Sequence, residues 1–143
     1  MTIEELLARD GKLIYKTRGI SMEPMLRQNR DLVILETPKA RLKPLDVALY
    51  KRGKDLVLHR VLKVEADHYM IRGDNTYAWE RVPDDAVLAV LTGFQRKGKQ
   101  YSVSDGRYLF YAKFWHSIYP LRWFVVNVIR RMKRCARRLL GRK

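Results

Sequence analysis

The chain has little of what builds prosthetic sites. Its single cysteine, Cys135, excludes an intramolecular disulfide framework and a thiolate metal site. The histidines, His59, His68 and His116, lack the spacing of metal ligands. No glycine-rich phosphate loop is present, so neither a metal nor another cofactor is expected. Uninterrupted apolar runs of about 18 residues are missing too, which disfavours a simple transmembrane helix. The opening MTIEELLARD has acids where a signal peptide carries bases, so no signal peptide is expected. A strand-helix-strand alternation is absent, which disfavours a parallel-sheet enzyme.

Acidic residues stop at Asp105. The formal net charge is +15, and residues 107–143 carry 11 Lys and Arg with no acid. Residues 1–106 hold 19 basic residues against all 15 acids, a net of +4. The basic character therefore belongs to the tail, and it implies an anionic surface such as lipid headgroups or nucleic acid. At 143 residues the chain divides into one domain, 1–106, and an extension, 107–143.

Thr2 and Glu5 have capping-box spacing, and Ile3, Leu6 and Leu7 predict a short amphipathic helix ended by Gly11. From Lys12 to Ser104 the pattern is that of a β domain. The runs LIYKT, DLVILE, DVALYK, DLVLHRVLKV, HYMIR, AVLAVLTGF and QYSVS are separated by turn chemistry. Hairpin loops are expected at 52–54, 65–67 and 97–99. Beyond Gly106 the period becomes helical. Tyr108–Ile118 predicts a short aromatic helix, and an apolar stripe over 121–140 predicts a longer one, with Pro120 in its first turn and Gly141 at its end.

Three polar islands interrupt the apolar runs: SMEPML at 21–26, LHRV at 58–61 and IRGDN at 71–75. A serine hydroxyl needs a base and an oxyanion pocket to act as a nucleophile. Ser21, flanked by Gly19 and Pro24, stands in a shaped turn. His59 shares a strand face with Val57 and Val61, opposite Leu58 and Arg60, and can serve as a general base. Asp74, or Glu80 six residues on, can hold the imidazole in its working tautomer. Taken singly, each string also has a plain structural reading as loop, strand or turn residues.

In this order the islands resemble the boxes of the signal peptidase I and LexA-like serine peptidases. The histidine before Arg-Val is most similar to the endoplasmic-reticulum and archaeal branch, which pairs serine with histidine where bacterial members use lysine. The resemblance spans Gly19 to Gly93. It implies a coiled antiparallel β-sheet or partly open barrel, with Ser21 as nucleophile and His59 as base. Asp74 and Glu80 are the two candidate acids, Glu80 replacing the family's Asp. It further implies an oxyanion hole at Ser21 and Gly19, where relatives carry a hydroxyl residue at the Gly19 position. Met22 and Pro24 are expected at the substrate, a polypeptide with small residues before the cut. Relatives carry a membrane anchor before the nucleophile box, and here only a short polar helix stands there. A non-catalytic binding module on this fold and a self-cleaving regulator are the alternatives.

The 121–140 helix has the make-up of one lying in a membrane interface. Trp123 sits near its start, and Arg130, Arg131, Lys133, Arg134, Arg137 and Arg138 form its basic face. No helix-turn-helix precedes the peptidase region, so a nucleic-acid partner is not expected. Basic segments favour the cytoplasmic leaflet, which places the chain in the cytoplasm at the inner membrane face. The opposing expectation is that the apolar stripe packs on the β-core.

Overall fold

Thr2 and Glu5 start the first helix as their spacing predicts. The Thr2 N–H donates to the Glu5 carboxylate at 2.7 Å, and the Glu5 N–H donates to the Thr2 hydroxyl at 3.2 Å. This reciprocal cap satisfies two donors that the helix itself leaves unpaired. The helix, α1 (Ile3–Asp10), stops at Gly11, whose φ of 65° costs glycine nothing.

The computed structural model describes residues 1–141, so Arg142 and Lys143 of the basic extension lie outside the described residues. Eight strands follow α1: β1 (Lys12–Lys16), β2 (Leu32–Glu36), β3 (Val47–Arg52), β4 (Asp55–Val64), β5 (His68–Arg72), β6 (Glu80–Pro83), β7 (Val87–Arg96) and β8 (Lys99–Ser102). All pairings are antiparallel, in the order β1-β2-β7-β3-β4-β5-β6, with β8 also on β7. The protein is thus mainly an antiparallel β-sheet, with a short N-terminal helix and helices at the C-terminal end.

Seven of these strands fall on the seven apolar runs. The tight hairpins turn at Gly53-Lys54 and Lys97-Gly98. Lys97 and Gly98 both take positive φ, 51° and 78°, as a two-residue loop that matches strand twist requires. The eighth strand, β6, has no counterpart among the runs. It is four residues long, ends in a proline that cannot donate to a ladder, and pairs only with β5 at the sheet margin.

Both faces of β3 are covered, and its alternation feeds two apolar clusters. Val47 and Leu49 join Met22, Leu26, Leu35 and Leu91 on one side. Ala48 and Tyr50 join Val57, Val61, Ile71 and Val82 on the other. A sheet buried on both faces holds its register firmly, because a one-residue slip would exchange the two sets.

Two helices follow among the described residues, α2 (Gly106–Ser117) and α3 (Tyr119–Leu140). Tyr108 and Ala112 of α2 are buried, and Tyr108 belongs to the first cluster. By contrast, α3 has no buried residue. Leu121, Phe124 and Met132 of its stripe are 62 %, 61 % and 66 % exposed, so the stripe does not pack on the β-core. No helix among the described residues is long and apolar enough to cross a membrane.

Candidate active site

Ser21 stands in the excursion between β1 and β2, a stretch without regular structure that is nonetheless tied internally. The Thr17 hydroxyl donates to the Arg27 carbonyl at 2.9 Å, and the Asn29 N–H donates to the Thr17 carbonyl at 3.1 Å. At the far end Asp31 is fully buried. It accepts from the Arg27 N–H at 2.8 Å and from the Arg30 guanidinium at 2.6 Å. Burial alone would push the Asp31 carboxyl up, but these donors outweigh it and hold it below the ordinary range. Met22, Met25 and Leu26 then drop into the core and leave Ser21 half-exposed at the rim.

His59 arrives from β4, and the sheet fixes what surrounds it. Ala48 lies directly opposite on β3, and Tyr50 lies diagonally across on the same face. The Tyr50 hydroxyl is 3.1 Å from His59 Nδ1 and donates to Glu80 Oε2 at 2.6 Å. Glu80 also takes the Arg52 guanidinium at 2.8 Å, and its Oε1 lies 3.6 Å from His59 Nδ1.

A phenol has one proton, and a carboxylate can only accept. Tyr50 therefore gives its proton to Glu80 and accepts the Nδ1–H of His59. That assignment leaves Nε2 with its lone pair free, the tautomer a general base needs. Burial pushes the imidazole below its ordinary value, against the opposing pull of Glu80. The ring is thus neutral at pH 7.

The Nε2 edge and Ser21 meet at Gly73. A Cβ on Gly73 would stand 2.7 Å from the Ser21 carbonyl and 3.0 Å from His59 Nε2, so no side chain fits between them. Asn75 completes the junction: its N–H donates to the Ser21 carbonyl at 2.8 Å and its side-chain amide to the Ile20 carbonyl at 3.1 Å. Among the described residues, no hydrogen bond joins Ser21 Oγ to His59 Nε2. Such bonds often tighten only when substrate is present.

Asp74 faces away from His59. Its carboxylate takes two parallel hydrogen bonds from Arg60, at 2.7 and 2.9 Å, and a third from the Tyr111 hydroxyl at 2.9 Å. The strand alternation that turns His59 one way turns Arg60 the other, so adjacent residues serve different carboxylates. The Asp74 carbonyl in turn accepts from Trp115 Nε1 at 2.9 Å and Arg122 at 2.7 Å. Helix α2 and the first turn of α3 thereby hold the loop that holds Ser21.

Ser21, His59 and Glu80 line one cleft of about 760 Å³, together with Gly19 and Met22. Asp74 and Pro24 do not line it. The Gly19 N–H is taken by the Gln28 side chain at 3.0 Å, so it does not face the cleft as a free donor. Tyr50 and Arg52 have no signal in the sequence, because their places depend on strand register; Gly73 stands in IRGDN, but its close approach to Ser21 and His59 does not show there. Arg60 was visible in LHRV, but its partner was not. The basic residues Arg130, Arg131, Lys133, Arg134, Arg137 and Arg138, with Trp123, are all exposed on α3, apart from the cleft. Among the described residues, no group of three or more His, Cys, Asp or Glu is arranged to hold a metal ion.

The buried neutral imidazole sets a pH dependence. His59 takes up its proton in the folded protein at a lower pH than in the unfolded chain, where the value is about 6.5. Its contribution to stability is full above that value and is lost as pH falls through the folded pKa. A His59 ring titration followed by NMR should have its midpoint below 6.5; a midpoint at or above it would contradict the geometry. Compared with models of known protein families and with curated proteins, the chain matches none.

Proposed function

We propose that the protein is a serine endopeptidase that removes a leader or signal-like segment from another polypeptide. The observation that carries this reading is that Ser21 and His59 line one cleft, with the Ser21 backbone and the Nε2 edge of His59 both packed against Gly73. In the proposed step, Ser21 Oγ attacks the peptide carbonyl carbon while His59 Nε2 takes its proton. The Ser21 N–H stabilises the oxyanion. His59 then gives the proton to the leaving amine, the C–N bond breaks, and an acyl-Ser21 ester remains. Water attacks this ester with His59 again as base, releasing the acid and restoring the serine. Glu80 acts through Tyr50 and stabilises the imidazolium that forms twice in the cycle.

The sheet offers an extended substrate somewhere to bind. Pairing of β4 with β5 begins at Arg60, so the outer edge of Asp55–His59 has free backbone groups beside the cleft. Tyr15 and Thr17, at the end of edge strand β1, stand among the other lining residues. A polypeptide added as a strand suits such an edge. The coiled-sheet signal peptidase and LexA-like fold, and small substrate residues before the cut, are what the resemblance of the three islands implies.

The reading includes attachment to an anionic membrane at its cytoplasmic face. It is supported by the exposed stripe of α3 and by the exposed Arg130, Arg131, Lys133, Arg134, Arg137 and Arg138. An amphipathic helix with these two features lies in the headgroup region.

Cleavage of a proteome-derived peptide library, read by mass spectrometry, tests the enzyme. Wild type should yield new termini, and Ser21→Ala and His59→Ala should each lower the yield by at least about 10³-fold. Equal yields from all three proteins would end the proposal. Co-sedimentation with phosphatidylglycerol vesicles tests the helix. Binding should be strong at low salt and lost in a Phe124→Asp/Val128→Asp/Met132→Asp variant; unchanged binding would remove α3 as the anchor.

A further inference from the structure

The junction between the sheet and the C-terminal helices contains a second, much smaller cavity, of about 10 Å³. Arg60, Arg72, Asp74, Trp115, His116 and Arg122 line it. We propose that it binds one monatomic anion, chloride under ordinary conditions.

Charge is the first argument. Three guanidinium groups surround the cavity, and among the described residues Asp74 supplies the only carboxylate. That carboxylate is already committed to the twin bonds from Arg60 and the bond from Tyr111. Arg122 spends one Nη donor on the Asp74 carbonyl and lies 3.8 Å over the Trp115 ring.

Arg72 is left with no carboxylate. It is 5 % exposed, and its guanidinium lies on the Tyr119 ring at 3.3 Å with Trp79 at 5.3 Å. Aromatic faces attract a cation but accept little of its hydrogen bonding. Burying an ion without a counter-ion is expensive.

The cavity also holds unmatched polar atoms. Among the described residues, Arg72 Nη1 and His116 Nδ1 are buried without a hydrogen-bond partner, and both residues line this cavity. Natural proteins rarely leave such atoms unmatched.

A cavity of this volume is at the lower limit for one water, so a chloride, which is somewhat larger, enters with a small outward shift of the half-exposed Arg122, and phosphate, sulfate and carboxylates are excluded. Water would satisfy the donors but leave the charge. A halide satisfies both: it accepts from Arg72 Nη1 and from His116 in its Nδ1–H tautomer, and it brings the negative charge that the cluster lacks. The acidic wall does not oppose it, because the bidentate Arg60 pair neutralises Asp74. Burial pushes both Arg72 and His116 below their ordinary values, and Arg72 and Arg60 push His116 down further, which is the mark of an uncompensated positive field.

The site has a structural consequence. The ion would bridge β5, through Arg72, to α2, through His116, beside the loop that holds Ser21. Halide binding would therefore favour the docked position of the helices, whatever reaction the cleft performs.

Crystals of the full chain grown in sodium bromide test this directly. An anomalous bromine peak is expected within hydrogen-bond distance of Arg72 Nη1 and His116 Nδ1; a water there, or no density, would overturn the proposal. In solution, Tm should rise saturably with sodium chloride over sodium gluconate at matched ionic strength. Arg72→Met, which keeps bulk and removes the charge, should abolish that difference. An equal chloride gain in wild type and Arg72→Met would also overturn the proposal.

Discussion

Arg60 and Asp74 meet through two parallel hydrogen bonds in a place almost closed to water, and the layout of the cleft follows from where that pair sits. Two charges in such a medium are tolerable only together: removing one partner of a buried pair costs about 3–5 kcal/mol, because the other is left uncompensated. The strand end and the loop after it are thus clamped to β4. Tyr108 closes over Arg60, and its hydroxyl accepts from Nη1 at 3.0 Å. Tyr111, Trp115 and Arg122 bring both C-terminal helices to the same point. What the composition presents as a basic appendage is, in its first third, part of the scaffold.

The pair also decides which acid serves His59. With Asp74 committed to Arg60, Glu80 is the carboxylate that reaches the imidazole, through the Tyr50 hydroxyl and at 3.6 Å directly. Arg52 holds the other side of Glu80 and orients it. Two carboxylates six residues apart therefore have separate surroundings and separate work: one ties loops and helices together, the other fixes a tautomer. Period-2 alternation along His59-Arg60 is the simplest cause of that division.

Much of this was legible in the chain. The Thr2–Glu5 cap, seven of the strands, the Gly53 and Lys97-Gly98 turns and the span of α3 follow from local chemistry, which acts within a few residues. What escaped depends on distance in sequence. Strand β6 is too short and proline-ended to show a period. Tyr50 matters only because the β3–β4 register places it diagonal to His59, and no local pattern states a register. Asp74 and Glu80 were equivalent candidates until the tertiary partners of each were known. Gly19 was expected to help hold an oxyanion, yet its N–H is claimed by Gln28, nine residues away across a loop without periodicity. Gly73 is required by two approaching segments, neither of which announces the other.

Whether the two carboxylates have separate roles is decided by kcat/KM for the proposed cleavage, measured beside Tm for Glu80→Gln and Asp74→Asn. Glu80→Gln should keep its Tm within a few degrees while kcat/KM falls roughly 10²–10⁴-fold. Asp74→Asn should lose stability on the order of 3–5 kcal/mol, with the fraction that stays folded retaining activity within about tenfold of wild type. A stable Asp74→Asn protein without activity, beside a fully active Glu80→Gln protein, would contradict that separation of roles.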